Sequence, residues 1–312
     1  MKKLISIVTP CYNEEENVEE IYRQIKDIFN RLEKYDYEHI FIDNSSEDKT
    51  VSILKDLAKK DHNVKIIVNT RNFGDIRSIF YGLCQARGDG VVFIAADMQD
   101  PPAMIPEFIR KWEEGFPVVK GIKTSSEENH FIYKLRSCYY RFANKLSDVE
   151  LDTHFNGFGL YDKKVVAIFR EMPDTYPYLR GLIAELGFES AKIEYRQAER
   201  KRGRSKYRNV YKLYDYAMIG ITSHSRVPLK IATIAGFFMA SLSFLIAVGY
   251  LIAKLLFWPM FPMGMAPLII AVFFLFSVQL FFIGILGEYI GLMHIRSLKR
   301  PMVVEKERIN FD

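Results

Sequence analysis

The apolar run Val91-Val92-Phe93-Ile94-Ala95-Ala96 stops abruptly in Asp97-Met98-Gln99-Asp100-Pro101-Pro102. Such a run cannot face water along its length, so it reads as a buried strand in the middle of a sheet, with its polar residues displayed at the carboxyl end. Oxygen-bearing side chains there can hold a hard divalent cation. Asp97 is the candidate principal ligand, the Gln99 side-chain carbonyl is a second, and Mg2+ or Mn2+ is the ion expected. A lone Asp at a strand end also serves as a turn former or helix cap. Asp43 and Asp48 follow the run His39 to Asp43, at a strand end and the following helix start. Both are placed to accept hydrogen bonds from a polar ligand, and Asp48 equally suits the first turn of a helix, where negative charge is favoured. A basic set, Arg200, Lys201, Arg202, Arg204 and Lys206, precedes Tyr207, Tyr211, Tyr214 and Tyr216.

These groups need a frame. Leu4 to Thr9, His39 to Asp43, Val64 to Val68 and the run from Val91 read as strands; Glu14 to Leu32, Glu47 to Lys60 and Ile76 to Ala86 have helical spacing. Alternation of this kind predicts an α/β fold, a doubly wound parallel sheet with right-handed crossovers. Ligands bind at the carboxyl ends of such strands. Pro10-Cys11-Tyr12-Asn13-Glu14 stands where a glycine-rich phosphate loop would follow the first strand. Neither the dinucleotide fingerprint nor the Walker loop is present.

The 312 residues are 49% hydrophobic with a net charge of +5, which combines a polar part with a greasy one. No residue is charged from Ile231 to Ala253, or from Leu255 to Gly287 across the Pro- and Gly-containing break at Trp258-Pro259 to Pro267. Each stretch exceeds the roughly 20 residues needed to cross a hydrocarbon core. Two transmembrane helices are expected, at about 229–257 and 266–293, within a membrane region spanning 228–294. Nine Lys or Arg against two Glu lie between Ala191 and Lys212, and Arg296, Lys299 and Arg300 follow the second span. Both termini and the domain over 1–205 are therefore expected in the cytoplasm. An interfacial amphipathic helix over 206–227 and a cytoplasmic tail over 295–312 complete the division. The N-terminal apolar stretch is too short for a cleavable signal peptide. Cys11, Cys84 and Cys138 have no paired spacing and fit a reducing compartment. A basic patch beside a membrane span faces anionic lipid, so no nucleic-acid partner is expected. Gly284, Gly287 and Gly291 would let helices approach closely in a homo-oligomer.

The runs Thr9 to Glu15, Ile42 to Thr50, Arg71-Asn72-Phe73-Gly74 and Ala95 to Pro102 resemble, in order and spacing, the inverting nucleotide-sugar glycosyltransferases of family 2. Gly203-Arg204-Ser205-Lys206-Tyr207, Gly287-Glu288-Tyr289-Ile290-Gly291 and Arg300-Pro301 narrow the resemblance to the bacterial polyprenyl-phosphate glycosyltransferases. It implies a GT-A type domain, a nucleotide-sugar donor (a UDP-sugar), and an undecaprenyl phosphate acceptor at the bacterial inner membrane. With a nucleotide sugar as the ligand, Asp43 and Asp48 would accept from uracil or ribose; by the same resemblance Pro10, Tyr12 and Glu14 line the ring beside Asp43, Arg71 belongs to the donor pocket, and Arg200 and Lys206 hold donor diphosphate or lipid phosphate.

Four positions depart from the family pattern. Ala95 replaces the Asp that usually opens the cation motif, which weakens the expected metal dependence. Gly157 and Gly159 stand where relatives carry an acceptor-side Asp and an Arg, and Asp75 where many carry Lys. A lipid phosphate is already largely dianionic at neutral pH and needs orientation more than a base, so this acceptor tolerates Gly157 better than a hydroxyl would. A catalytically degenerate membrane adaptor is the alternative reading, and a processive synthase a weaker one, since two spans are few for a polymer channel.

Overall fold

The computed structural model describes residues 2–125, 152, 154–172, 174–197, 218, 222, 227–256, 265–298 and 300–311. Strands β1 (Lys3–Cys11), β2 (Tyr35–Asp43), β3 (Val64–Asn69) and β4 (Gly90–Phe93) alternate with helices α1 (Val18–Arg31), α2 (Thr50–Lys60) and α3 (Asp75–Gln85). After α4 (Ile105–Glu113) come β5 (Val118–Ser125), β6 (Phe155–Asp162), α5 (Lys163–Glu171), α6 (Leu179–Glu185) and β7 (Ser190–Arg196). Two long helices, α7 (Val227–Leu256) and α8 (Met265–Ser297), precede a last strand, β8 (Glu305–Ile309).

All eight strands form one sheet in the order β7-β5-β6-β4-β1-β2-β3-β8. Strands β1 to β4 are mutually parallel, as alternation requires. Beyond β4, outside the alternating series, the sheet becomes mixed, because β6 runs antiparallel to both β4 and β5. Helix α1 buries Val18, Ile21, Ile25 and Phe29, a three-to-four residue stripe that packs with α2 and α4 on one face. On the other face Phe80 and Leu83 of α3 meet Val165 and Phe169 of α5. The chain order reverses at β1, flanked by β2 and β4, so a crevice opens at the carboxyl ends of these strands.

Strand β4 is shorter than its apolar run. The ladder to β1 ends at Phe93, and Ile94 N–H makes one more bond to Val8 O. Ile94 and Ala96 stay buried without strand pairing. Asp97 therefore sits in a loop beyond the strand rather than on its end. The segment expected as a tail also behaves differently: β8 pairs antiparallel with β3, Ile309 opposite Ile66 and Glu307 opposite Val68. Lys55 to Glu307 at 2.5 Å and Tyr81 to Glu305 at 2.8 Å fasten it to α2 and α3.

Helices α7 and α8 are long and apolar enough to cross a membrane. Their large side chains are exposed rather than packed, with Phe237 76% and Leu280 67% accessible. A soluble core helix buries such residues, so these faces suit lipid. The expected interfacial helix over 206–227 lies almost wholly outside the described residues.

At the centre of the sheet His39 is fully buried, with Nε2 2.9 Å from Thr9 Oγ1 and its ring centroid 3.9 Å from that of Phe41. Burial pushes its pKa down to about 3, so the folded protein holds it neutral. The unfolded chain binds a proton at this residue below about pH 6.5, and stability therefore declines as pH falls through that value. Lowering the pH from about 7.5 to about 5 is expected to remove about 2 kcal/mol through this group. Thermal melts of His39→Gln across that range should have the shallower pH slope, and parallel slopes would exclude the effect.

Candidate active site

The crevice is assembled from loops whose backbone N–H groups need acceptors once the strands end. After β1 the chain turns through Asn13, with φ of 54°. Asn13 N–H donates to Ser46 Oγ at 2.9 Å, and Asn13 Oδ1 accepts from Glu47 N–H at 2.9 Å. Glu15 N–H donates to Asp48 Oδ2 at 3.2 Å, while Glu15 Oε2 accepts from Lys49 N–H at 3.0 Å. The loops after β1 and β2 are thus joined reciprocally.

Several expected donor-site residues take part in this lacing. Asp43 is buried, and its oxygens accept from Ser46 N–H at 2.9 Å and Ser46 Oγ–H at 2.5 Å. Burial raises its pKa, and the Ser46 bonds oppose that rise. Asp48 Oδ1 accepts from Thr50 N–H at 2.9 Å, satisfying a free donor at the start of α2. Glu14 is also buried and accepts from Asn17 Nδ2 at 2.7 Å. Its carboxylate braces the start of α1. Pro10 and Tyr12 are partly exposed and flank Cys11, which is in register with Asp43.

Asn44 extends the network to the loop after β3. Its Oδ1 accepts from Asn69 Nδ2 at 3.1 Å and from Phe73 N–H at 3.0 Å. Gly74, at φ 87°, completes the bend into α3. Arg71 is exposed on this loop, its guanidinium stacked 4.0 Å from the Phe73 ring centroid. Asp75 lies in the first turn of α3, where its charge suits the helix dipole.

In the loop after β4, Asp97 and Gln99 are partly exposed, and Asp97 Oδ1 accepts from Gln99 N–H at 3.2 Å. Met98 bends the chain at φ 57°. Asp100 turns inward and is 2% exposed. It accepts from Asn156 Nδ2 at 2.9 Å and from the Tyr195 hydroxyl. The sequence displayed Asp100 but gave no sign of these partners, which lie 56 and 95 residues away.

Gly157 and Gly159 on β6 are built into close contacts. Gly157 has φ of 102°, and a Cβ there would meet Phe93 at 3.3 Å and Leu179 at 3.4 Å. A Cβ on Gly159 would lie 2.2 Å from the Val119 carbonyl oxygen. A side chain at Gly159 would therefore meet backbone, and one at Gly157 would be held in a strained conformation, which sets both positions against the Asp and Arg that the resemblance implies.

Arg200 and Lys206 lie outside the described residues. Among the described residues no three His, Cys, Asp or Glu side chains gather as a metal cluster. Asp97 and Gln99 offer two hard oxygen ligands on a partly open loop, which fits Mg2+ or Mn2+ completed by substrate phosphates and water. Asp100, with its oxygens committed inward, is not part of that set.

The mixed sheet and its carboxyl-end crevice define a GT-A type glycosyltransferase domain. The chain belongs to glycosyl transferase family 2, whose family model matches residues 6–186. It is 37% identical over 304 residues to the bactoprenol glucosyl transferase of Shigella phage SfV, covering 97% of this chain and 98% of that protein. An uncharacterized glycosyltransferase, YkcC, of Bacillus subtilis (strain 168) is 35% identical over 300 residues, 96% of this chain and 92% of its own length. A mannosyltransferase from Pyrobaculum calidifontis, solved with GDP-Man and Mn2+, aligns over 93% of this chain and 88% of its own at 14% identity and a TM-score of 0.44.

Because both Asp48 oxygens hold backbone N–H groups, Asp48→Ala is expected to cost roughly 1 kcal/mol of stability. Nucleotide affinity should change less than about twofold, since the lost bonds are internal. Melting temperature and nucleotide titration on one preparation separate the roles: a large affinity loss at unchanged stability would make Asp48 a ligand contact.

Proposed function

We propose that this protein transfers a sugar from a UDP-sugar to a polyprenyl phosphate at the cytoplasmic face of a bacterial inner membrane, inverting the anomeric carbon. The observation that carries the reading is a family 2 crevice followed in the same chain by two exposed apolar helices. Near full-length similarity to a protein named bactoprenol glucosyl transferase supports the lipid phosphate as acceptor, and makes UDP-glucose the first donor to test.

In the proposed reaction an acceptor phosphate oxygen attacks C1 of the sugar from the face opposite the diphosphate. The new C1–O bond forms as the bond to the diphosphate oxygen breaks, and UDP departs with that electron pair. A bound divalent cation would neutralise the departing diphosphate. Asp97 and Gln99 would hold that cation, and Asp43, Tyr12 and Arg71 contribute to the nucleoside and diphosphate pocket. Arg200 and Lys206 supply positive charge to donor or lipid phosphate. No side-chain base is required of Gly157, because the acceptor arrives ionised.

The cytoplasmic hairpin is supported by the way the chain returns. Strand β8 joins the same sheet as β1, and the two apolar helices lie between them. An even number of crossings brings the C-terminus back to the side of the catalytic domain. The basic flanks support the cytoplasm as that side.

Membranes containing the full chain, given a panel of radiolabelled nucleotide sugars, are expected to yield a lipid-linked product labile to mild acid. Asp97→Asn should lower turnover by about 100-fold or more with the fold retained. No transfer from any donor would favour a catalytically silent adaptor, and an acid-stable glycoside would contradict the acceptor. A reporter fused after Asp312 should read as cytoplasmic; a periplasmic signal would contradict the hairpin.

A further inference from the structure

Asp100 is a buried carboxylate that the catalytic reading leaves unused, although it lies three residues from Asp97. Four segments meet on it. Asn156 Nδ2, at the start of β6, donates to Oδ2 at 2.9 Å. The Tyr195 hydroxyl, on β7, donates to Oδ1. Lys123 Nζ, on β5, lies 3.8 Å from the same oxygen. The fourth segment is the loop of Asp97 and Gln99 itself.

Each partner leads to a different part of the site. Asn156 Oδ1 accepts from Phe158 N–H at 3.0 Å, closing a turn over Gly157. Tyr195 is followed by Arg196 and Gln197 and then the basic segment with Arg200. Its ring packs edge-on to Phe158, with centroids 5.5 Å apart. Thr124 Oγ1 donates to Tyr195 O at 3.1 Å, which fixes the ends of β5 and β7 against each other. The cation loop, the turn where relatives carry an acid, and the root of the basic segment therefore share one carboxylate.

A buried carboxylate is costly unless paired, and an apolar contact of the same size would serve stability as well or better. What it adds is direction: oxygens at fixed angles hold two donors, Asn156 Nδ2 and the Tyr195 hydroxyl, to one geometry beside the Lys123 charge. We propose that Asp100 is a positioning residue for sugar transfer, setting the Asp97–Gln99 loop against the Gly157 turn and the base of the basic segment. This role rests on the glycosyltransferase reading given above.

The test uses full-length protein in lipid nanodiscs, with transfer kinetics, UDP binding in the presence of Mn2+, and melting temperature measured for each variant. Wild-type protein must first transfer sugar; its failure would count against the functional reading and not against Asp100 alone. Asp100→Asn keeps the size and removes the charge. It is expected to lower kcat by about 100-fold, the effect of an ångström-scale misplacement, with donor KM within about threefold. The affinity for UDP at limiting Mn2+ should fall several-fold as the loop loses its anchor. Asp100→Glu, which retains charge but displaces it by a methylene, should not restore kcat. Tyr195→Phe removes one hydrogen bond and keeps the ring, so it decides the matter if Asp100→Asn does not fold; about a tenfold fall in kcat is expected. Wild-type kcat in Tyr195→Phe, or a lowered melting temperature with unchanged kcat in Asp100→Asn, would overturn the proposal.

Discussion

Where parallel strands end side by side, the loops that follow carry backbone N–H groups with no ladder to join. Those donors must be satisfied within the crevice or left to solvent. Here short polar side chains accept them across loops: Asn13 from Glu47, Glu15 from Lys49, Asp48 from Glu15 and Thr50, and Asn44 from Phe73. The bonds run in both directions between the β1 and β2 loops. Neither loop can shift without breaking bonds to the other, and this side of the crevice is organised by the fold itself.

The second half of the sheet meets a different demand. Strand β6 lies antiparallel between β4 and β5, and at Gly159 it approaches the Val119 carbonyl too closely for a side chain. Two residues earlier the backbone turns through Gly157 at positive φ. The two glycines thus belong to one structural solution, a stretch of backbone shaped around the absence of side chains. A side chain at Gly159 would meet backbone, and one at Gly157 would have to adopt a conformation that L residues rarely take.

Much of this architecture is legible in the sequence. The alternation of apolar runs and helical stripes gives the four parallel strands, and the uncharged stretches give α7 and α8 within a few residues. Burial and strand pairing look alike in sequence, however, so the run after Val91 hides the end of β4 at Phe93. Strand β8 is hidden for the opposite reason. Glu305-Lys306-Glu307-Arg308-Ile309 is a charged edge strand whose residues are all partly or fully exposed, and it reads as a tail. A carboxylate that braces the fold is indistinguishable by type from one that meets a ligand, so the sequence gives no sign that Glu14 accepts from Asn17 Nδ2 or that Asp48 accepts from the Glu15 and Thr50 N–H groups. Asp100 is visible as a residue, but Asn156 and Tyr195 reach it only through tertiary packing.

The place of β8 bears on how the protein is made. The edge of β3 is covered by residues that follow both long apolar helices in the chain. During synthesis the first seven strands can emerge and pair while this edge stays open. The last strand becomes available only when the ribosome has delivered both helices and the chain has come back to the domain. Completion of the catalytic sheet thereby reports that the apolar hairpin has been made, and a chain that stalls before it is released with an unpaired strand edge of the kind that recruits other chains.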